Sequence, residues 1–396
     1  MPETMLRQLV TLVDLPALRA ATDPDAACIR DGDLTLDNAA FLERILRAAA
    51  ALARRGVGHG DVVAAVIPNR AELLVVLFAA WRLGAAVVPV RPTMSRAELE
   101  FQVEDCGARV TVGDGLDLHT ETIHVGELLG DVVASDLPVA PSDTAAVSLL
   151  IYTRGTGRPR AVVLDAANLL AMCRSAAEAL EIDDRDHCLV LLPASHLAAI
   201  VMGMLMPLLA GGQTTLAAPP DAAAFSALLG GVRPTYVLAG PAVYAELAQL
   251  PPASASPDTS SLRFALCGTG PLEPELIGSV ERRLGAALIN GYGRAEATCV
   301  STLNPIAGPR TPGTVGLAMP GQEVRIMDRN GTFSAPGDPG EVVIRGPVLM
   351  RGYLNQAAAT SRAIGQDGWL HTGDAGVLDE DGHLRIVGTL TDLRSV

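Results

Sequence analysis

The chain has 396 residues, 49% hydrophobic and 19% charged, enough to bury a sizeable core and to divide into two or three structural units. Its 44 acidic residues outweigh 30 basic ones for a formal charge of −14, which argues against nucleic acid as the main partner, since phosphate neutralisation needs clustered basic residues. Every basic residue is arginine; the sequence holds no lysine.

In chain order, Met1-Pro2-Glu3-Thr4 puts acid ahead of any apolar run and carries no signal-peptide pattern. Phe41 to Arg55 has apolar residues at helical spacing and ends at Gly56. Asp61 to Ile67 reads as a strand stopped by Pro68, Ala71 to Leu83 as a helix ended by Gly84, and Ala85 to Val90 as a second strand. Strands alternating with helices predict a parallel sheet covered on both faces. After a proline-containing linker around Leu137 to Pro141, six more short strands follow: Ser148 to Tyr152, Cys188 to Leu192, Gln213 to Ala217, Tyr236 to Ala239, Phe264 to Cys267 and Ala287 to Ile289. From about Pro312 the texture turns to glycine- and proline-punctuated strands, with Asn330-Gly331 and Asp381-Gly382 as hairpin signals. The expected architecture is α/β: a first α/β unit over residues 1–140, a second over 141–311, a β-rich unit over 312–387 built as a small distorted barrel, and a short remnant over 388–396.

Leu197 to Ala210 is apolar but short and contains Pro207, and the apolar stretch from Leu73 is cut by Arg82, so both read as buried elements rather than membrane spans. Cys28, Cys106, Cys173, Cys188, Cys267 and Cys299 show no CxxC spacing, which disfavours a zinc site or disulfide framework and suits a reducing compartment. A cytoplasmic location is expected.

Five segments could carry chemistry. After the strand at Ser148 comes Tyr152-Thr153-Arg154-Gly155-Thr156-Gly157-Arg158-Pro159-Arg160, where backbone N–H groups can wrap phosphate oxygens; by itself it reads equally as a glycine-bearing turn. Leu192-Pro193-Ala194-Ser195-His196 precedes an apolar helix, where a lone histidine is ordinarily a hydrogen-bonded core residue. Gly268-Thr269-Gly270-Pro271 follows a strand and would let a flat ring lie against backbone, or is simply a strand-to-helix turn. Asn290-Gly291-Tyr292-Gly293-Arg294-Ala295-Glu296 and Trp369-Leu370-His371-Thr372-Gly373-Asp374 complete the set.

Together, in this order and spacing, the segments resemble those of the adenylate-forming superfamily: acyl- and aryl-CoA synthetases, peptide-synthetase adenylation domains and luciferases. The stretches Ala53 to Asn69 and Leu83 to Pro89 extend the likeness over nearly the whole chain. The resemblance implies that a carboxylate attacks the α-phosphate of ATP to give an acyl-adenylate, which a thiol, usually CoA, then cleaves. It implies a phosphate loop at Thr153, Gly155, Thr156 and Gly157 with Arg160 in the place of a lysine, and His196 beside the carboxylate end of the acyl pocket. Gly268, Thr269, Gly270 and Pro271 would floor the adenine and acyl sites, Asn290, Gly291, Tyr292 and Gly293 would flank adenine with Tyr292 stacked on it, Glu296 would hold Mg²⁺, and Asp374 would bind the ribose.

The chain departs from that pattern in several places. The phosphate loop lacks one threonine, Arg154 replaces a small serine, Ala161 the closing glycine, Ala295 a threonine and Thr389 a ribose-binding arginine. The hinge aspartate is Asp392, close to Val396, so the mobile C-terminal domain and its lysine are expected to be missing; CoA then enters only if that domain is supplied, for instance by a protein partner. Three readings stay open: an acid–CoA or acid:AMP ligase, impaired or incomplete on its own; a non-catalytic or partner-dependent module that binds nucleotide or acyl-adenylate; and the same activation with a non-CoA nucleophile. The apolar helix after His196 favours an aliphatic or aromatic monocarboxylate as the small-molecule partner.

Overall fold

The computed structural model describes residues 9–116, 118–128, 143–153, 158–249, 258–268, 270, 272–308 and 310–393, so the linker expected at Leu137 to Pro141 lies outside the described residues. Two sheets dominate. A nine-stranded sheet runs in the order Leu317–Ala318, Thr302–Leu303, Ala287–Tyr292, Phe264–Cys267, Tyr236–Ala239, His187–Val190, Gln213–Leu216, Ala27–Asp31 and Leu34–Asp37, with the six strands from Ala287–Tyr292 to Ala27–Asp31 parallel. A seven-stranded sheet contains Val62–Val66, Ala86–Pro89, Val110–Gly113, Glu121–Ile123, Val147–Thr153, Arg160–Asp165 and Gly352–Tyr353.

The two large sheets interleave in sequence instead of succeeding one another at residue 140. Residues 27–37 join the nine-stranded sheet through Ile29↔Thr214, and 147–165 join the seven-stranded sheet through Val87↔Leu149. The physical reason is that a strand's partner is chosen by long-range ladder pairing and burial, which local periodicity does not encode. The β-rich third unit is an antiparallel sheet of four strands, Glu323–Met327, Gly340–Arg345, Leu370–Leu378 and Leu384–Thr389, open rather than closed into a barrel.

Between the large sheets lies the helix Ala71–Arg82, of which every residue from Ala71 to Trp81 is buried. An all-round apolar helix needs cover on all sides, and this one touches strands of both sheets. Its start is fixed from the nine-stranded sheet, where Asp31 Oδ2 accepts the Ala71 N–H at 3.0 Å, and its end from the other, where Trp81 Nε1 donates to the Ser148 carbonyl at 2.8 Å. The segment Ala199–Leu205 is likewise wholly buried. No helix among the described residues is long and apolar enough to cross a membrane.

In the nine-stranded sheet, Gln213–Leu216 leaves on one side of His187–Val190 and Tyr236–Ala239 on the other. Such a reversal of strand order opens a crevice at the carboxyl ends of the strands, where ligands of α/β proteins bind.

Candidate active site

The loop that follows His187–Val190 at this reversal carries His196. Asn69 holds it in place from the other sheet: Nδ2 donates to the carbonyls of Leu192 and Ala217, both at 2.8 Å, and Oδ1 accepts the Ala194 N–H at 2.6 Å. His196 is half-buried and its Nδ1 accepts the Ala198 N–H at 3.2 Å. On the same strand ends, a side chain at Gly268 would meet Leu192 at 3.0 Å and Ala198 at 3.7 Å, which puts this glycine against the His196 loop.

The neighbouring strand Ala287–Tyr292 pairs Asn290 with Cys267. Asn290 is taken up structurally: its Nδ2 donates to the Thr314 carbonyl at 3.3 Å and its Oδ1 accepts from Asn304 Nδ2 at 2.7 Å. Gly291 and Gly293 are required by close backbone approach, since a Cβ would lie 2.4 Å from the Thr302 carbonyl oxygen and 1.9 Å from that of Cys299 respectively. The turn that follows is strained, with Thr298 at φ 50° and Cys299 at φ 105°, conformations rare outside glycine. The strain follows closely on Glu296, which is buried and whose carbonyl accepts the Met350 N–H at 2.8 Å.

Asp374 sits in a β-bulge. Opposite Glu341 and Val343 the partner strand places Ala375 and His371, so Thr372, Gly373 and Asp374 all face the single residue Val342. A bulge of this kind re-aims a side chain out of the ladder. Glu341 braces it, with Oε2 2.9 Å from His371 Nδ1 and Oε1 accepting the Gly373 N–H at 2.9 Å.

These elements converge. The Tyr292 hydroxyl donates to Asp374 Oδ2 at 2.5 Å, and Arg294 Nη1 lies 3.2 and 3.4 Å from the two oxygens of the same carboxylate. Arg294 Nε lies 3.7 Å from Glu296 Oε2, and the Tyr353 hydroxyl donates to Glu296 Oε1 at 2.8 Å. The Arg160 guanidinium stands over the Tyr353 ring, 5.3 Å from its centre. Arg160, Arg294, Glu296, Tyr353 and His371 share the wall of a cleft of about 320 Å³. Burial and the Asp374 charge push the Tyr292 phenol far above its ordinary range, and burial and the Glu296 charge raise that of Tyr353 to about 12, so both are donors at neutral pH. Burial disfavours the Arg294 cation, but Glu296 and Asp374 more than offset it and raise its pKa.

The fold thus brings Tyr292, Glu296, Asp374 and Arg160 into one cluster and sets His196 and Gly268 along the same crevice edge. Thr153 and Arg160 are the last cross-strand pair flanking the segment expected to bind phosphate, with Thr153 Oγ1 3.4 Å from the Arg160 carbonyl oxygen. Gly155, Thr156 and Gly157 lie outside the described residues, as do Thr269 and Pro271. Gly270 is described, with Pro241 its near neighbour. Tyr353, Arg294 and Asn69 emerge only in three dimensions. Nothing local to Gly352-Tyr353 announces a contact 57 positions away.

The AMP-binding enzyme family matches residues 17–354. The feruloyl-CoA synthase of an Amycolatopsis species is 34% identical over 392 residues, covering 96% of this chain and 78% of that protein. Apo MatB from Rhodopseudomonas palustris superposes with a TM-score of 0.89 at 25% identity, over 96% of this chain and 79% of that one. O-succinylbenzoate coenzyme A synthetase (MenE) from Bacillus subtilis, solved in complex with AMP, gives 0.87 at 26% identity, over 96% and 79%. With its fold, its ordered segments and these relatives in agreement, the chain belongs to the AMP-binding, adenylate-forming enzymes, within the group that contains the acid–CoA ligases.

Proposed function

We propose that this chain binds ATP and a carboxylic acid and forms an acyl-adenylate. A carboxylate oxygen of the acid attacks the α-phosphorus, the bond to the pyrophosphate oxygen breaks, and pyrophosphate leaves with its electron pair. The observation that carries the reading is the cluster itself: Tyr292 and Asp374, 82 positions apart, are bonded to each other, with Glu296 joined to them through Arg294.

In this reading Asp374 accepts the ribose hydroxyls, keeping lone pairs beyond the one that Tyr292 uses. The Tyr292 ring lies along adenine, its hydroxyl tethered to Asp374. Arg160 neutralises phosphate charge, and the described cleft supplies a fixed polar wall around it. No group of three potential metal ligands occurs among the described residues. Magnesium keeps several waters and takes one or two carboxylates together with substrate phosphates. Glu296 is the carboxylate that would hold it; the ion's chemistry is charge neutralisation on the phosphates.

The acid would lie beside the His196 loop, near the buried apolar segment Ala199–Leu205, which suits an aliphatic or aromatic monocarboxylate. CoA is the acceptor in keeping with the group, and another nucleophile is the alternative. A binding module without turnover is a second reading. It is supported by Ala295, which offers no hydroxyl, and by Thr389, whose N–H and hydroxyl both donate to Asp392 Oδ2, at 2.7 and 2.8 Å.

The test incubates the protein with ATP, Mg²⁺ and a panel of aliphatic and aryl acids and measures pyrophosphate and acyl-adenylate mass. Acid-dependent formation of both supports adenylation. AMP binding without either product selects the binding module. Neither binding nor product overturns the proposal.

A further inference from the structure

Arg294 stands between two carboxylates, with Nη1 3.2 Å from Asp374 and Nε 3.7 Å from Glu296. These separations exceed the roughly 2.7–2.9 Å of a tight charge-assisted hydrogen bond. The guanidinium is paired by charge but not locked, and at 38% side-chain exposure it faces the cleft.

If Asp374 takes the ribose hydroxyls and Glu296 the metal beside the phosphates, the ribose and α-phosphate of the nucleotide must span the interval from one to the other. Arg294 spans that same interval in the free protein. Nucleotide binding therefore engages both of its partners at once, Asp374 by ribose hydroxyls and Glu296 by the metal, and offers the guanidinium a phosphate in their place. Next to it, Ala295 has no side-chain donor, whereas arginine carries five N–H groups in a fork matched to phosphate oxygens.

We propose, resting on the nucleotide reading above, that Arg294 is an α-phosphate-binding residue. In the free protein it neutralises Asp374 and Glu296; on binding, its guanidinium passes to the α-phosphate while the ribose and magnesium take over the two carboxylates. Phosphate recognition is thus exchanged for an internal ion pair, and the empty cleft never holds two uncompensated carboxylates.

The experiment compares AMP with adenosine, both by calorimetric titration, in the wild type, Arg294→Ala and Arg294→Lys, with melting temperatures to confirm that each variant folds. The wild type should prefer AMP. Arg294→Ala should weaken AMP by about 10- to 100-fold, the range of a charged hydrogen bond, and leave adenosine unchanged or tighter, because its competitor for Asp374 is gone. Arg294→Lys keeps the charge without the fork and should fall between. Should Arg294→Ala fail to fold, the lysine variant decides by the phosphorus-31 resonance of bound AMP, which should move from its wild-type position. An unchanged AMP-to-adenosine ratio in Arg294→Ala, equal tightening of both ligands, or an unmoved resonance in Arg294→Lys overturns the proposal, since Arg294 would then be only a counter-ion that the nucleotide displaces. A wild type that binds neither ligand refutes the nucleotide reading itself, and is told apart by failing before any variant is made.

Discussion

The Tyr292 hydroxyl and the Asp374 carboxylate are hydrogen-bonded across 82 positions of sequence, joining the end of the strand Ala287–Tyr292 in the nine-stranded sheet to a bulge of the four-stranded one. The bond tethers the ring to the bulge that carries Asp374. If that ring stacks on adenine, Tyr292→Ala should cost about 1–3 kcal/mol of AMP binding, the usual worth of base–aromatic stacking. Tyr292→Phe keeps the ring and should stay within about threefold, since it removes only one neutral donor. Titration of both variants with AMP checks the contrast.

Asn69 should prove a positioning residue. Its three bonds to Leu192, Ala194 and Ala217 tie the seven-stranded sheet to the His196 loop. Asn69→Ala leaves those partners unpaired and should destabilise the fold by about 2 kcal/mol in urea titration. In the adenylation assay it should raise KM for the acid more than KM for ATP. Equal effects on both substrates would argue that the loop does not face the acid.

Gly293 admits no side chain, because a Cβ would sit 1.9 Å from the Cys299 carbonyl oxygen in backbone already strained. Gly293→Ala should destabilise by about 3 kcal/mol, as backbone must move to relieve the overlap. Gly230, in the helix Ala222–Val232, has open space at its Cβ position. Gly230→Ala should instead gain up to about 1 kcal/mol. Melting temperatures of the pair test whether close approach or mere flexibility governs these glycines.

His187 provides a pH signature. Its Nε2 lies 2.6 Å from Thr215 Oγ1, and burial, aided by the charge of Arg30, lowers its pKa from 6.5 to about 4. The folded state holds the ring neutral, whereas the unfolded chain takes up a proton near pH 6.5. The associated stability is therefore fully present above pH 6.5 and is lost as pH falls towards 4, by an amount on the order of 3 kcal/mol. His187→Asn should flatten the fall of the urea midpoint across that window.

Much of the scaffold was legible because strands buried on both faces read as continuous apolar runs, as Val62–Val66 and Phe264–Cys267 do. The pairing of Ala27–Asp31 with Gln213–Leu216 was not, since nothing local to Ile29 names Thr214 as its partner. Within the site, Tyr292, Glu296 and Asp374 could be picked out by segment, but their bonding could not. Arg294 and Tyr353 acquire meaning only from the carboxylates they meet. Asn290 shows the converse: its place in a telling segment hid a structural bond to Asn304.

The most direct test of the nucleotide reading is calorimetric titration of the protein, and of Asp374→Asn, with a non-hydrolysable acyl-adenylate analogue such as an acyl-sulfamoyl adenosine. Asp374→Asn keeps the size of the side chain and removes the charge that would receive the ribose hydroxyls, a loss worth about 1.5–3 kcal/mol. Saturable binding by the wild type, weakened at least about tenfold in Asp374→Asn, is the expected result. No binding at millimolar analogue, or equal affinity in the two proteins, would contradict it.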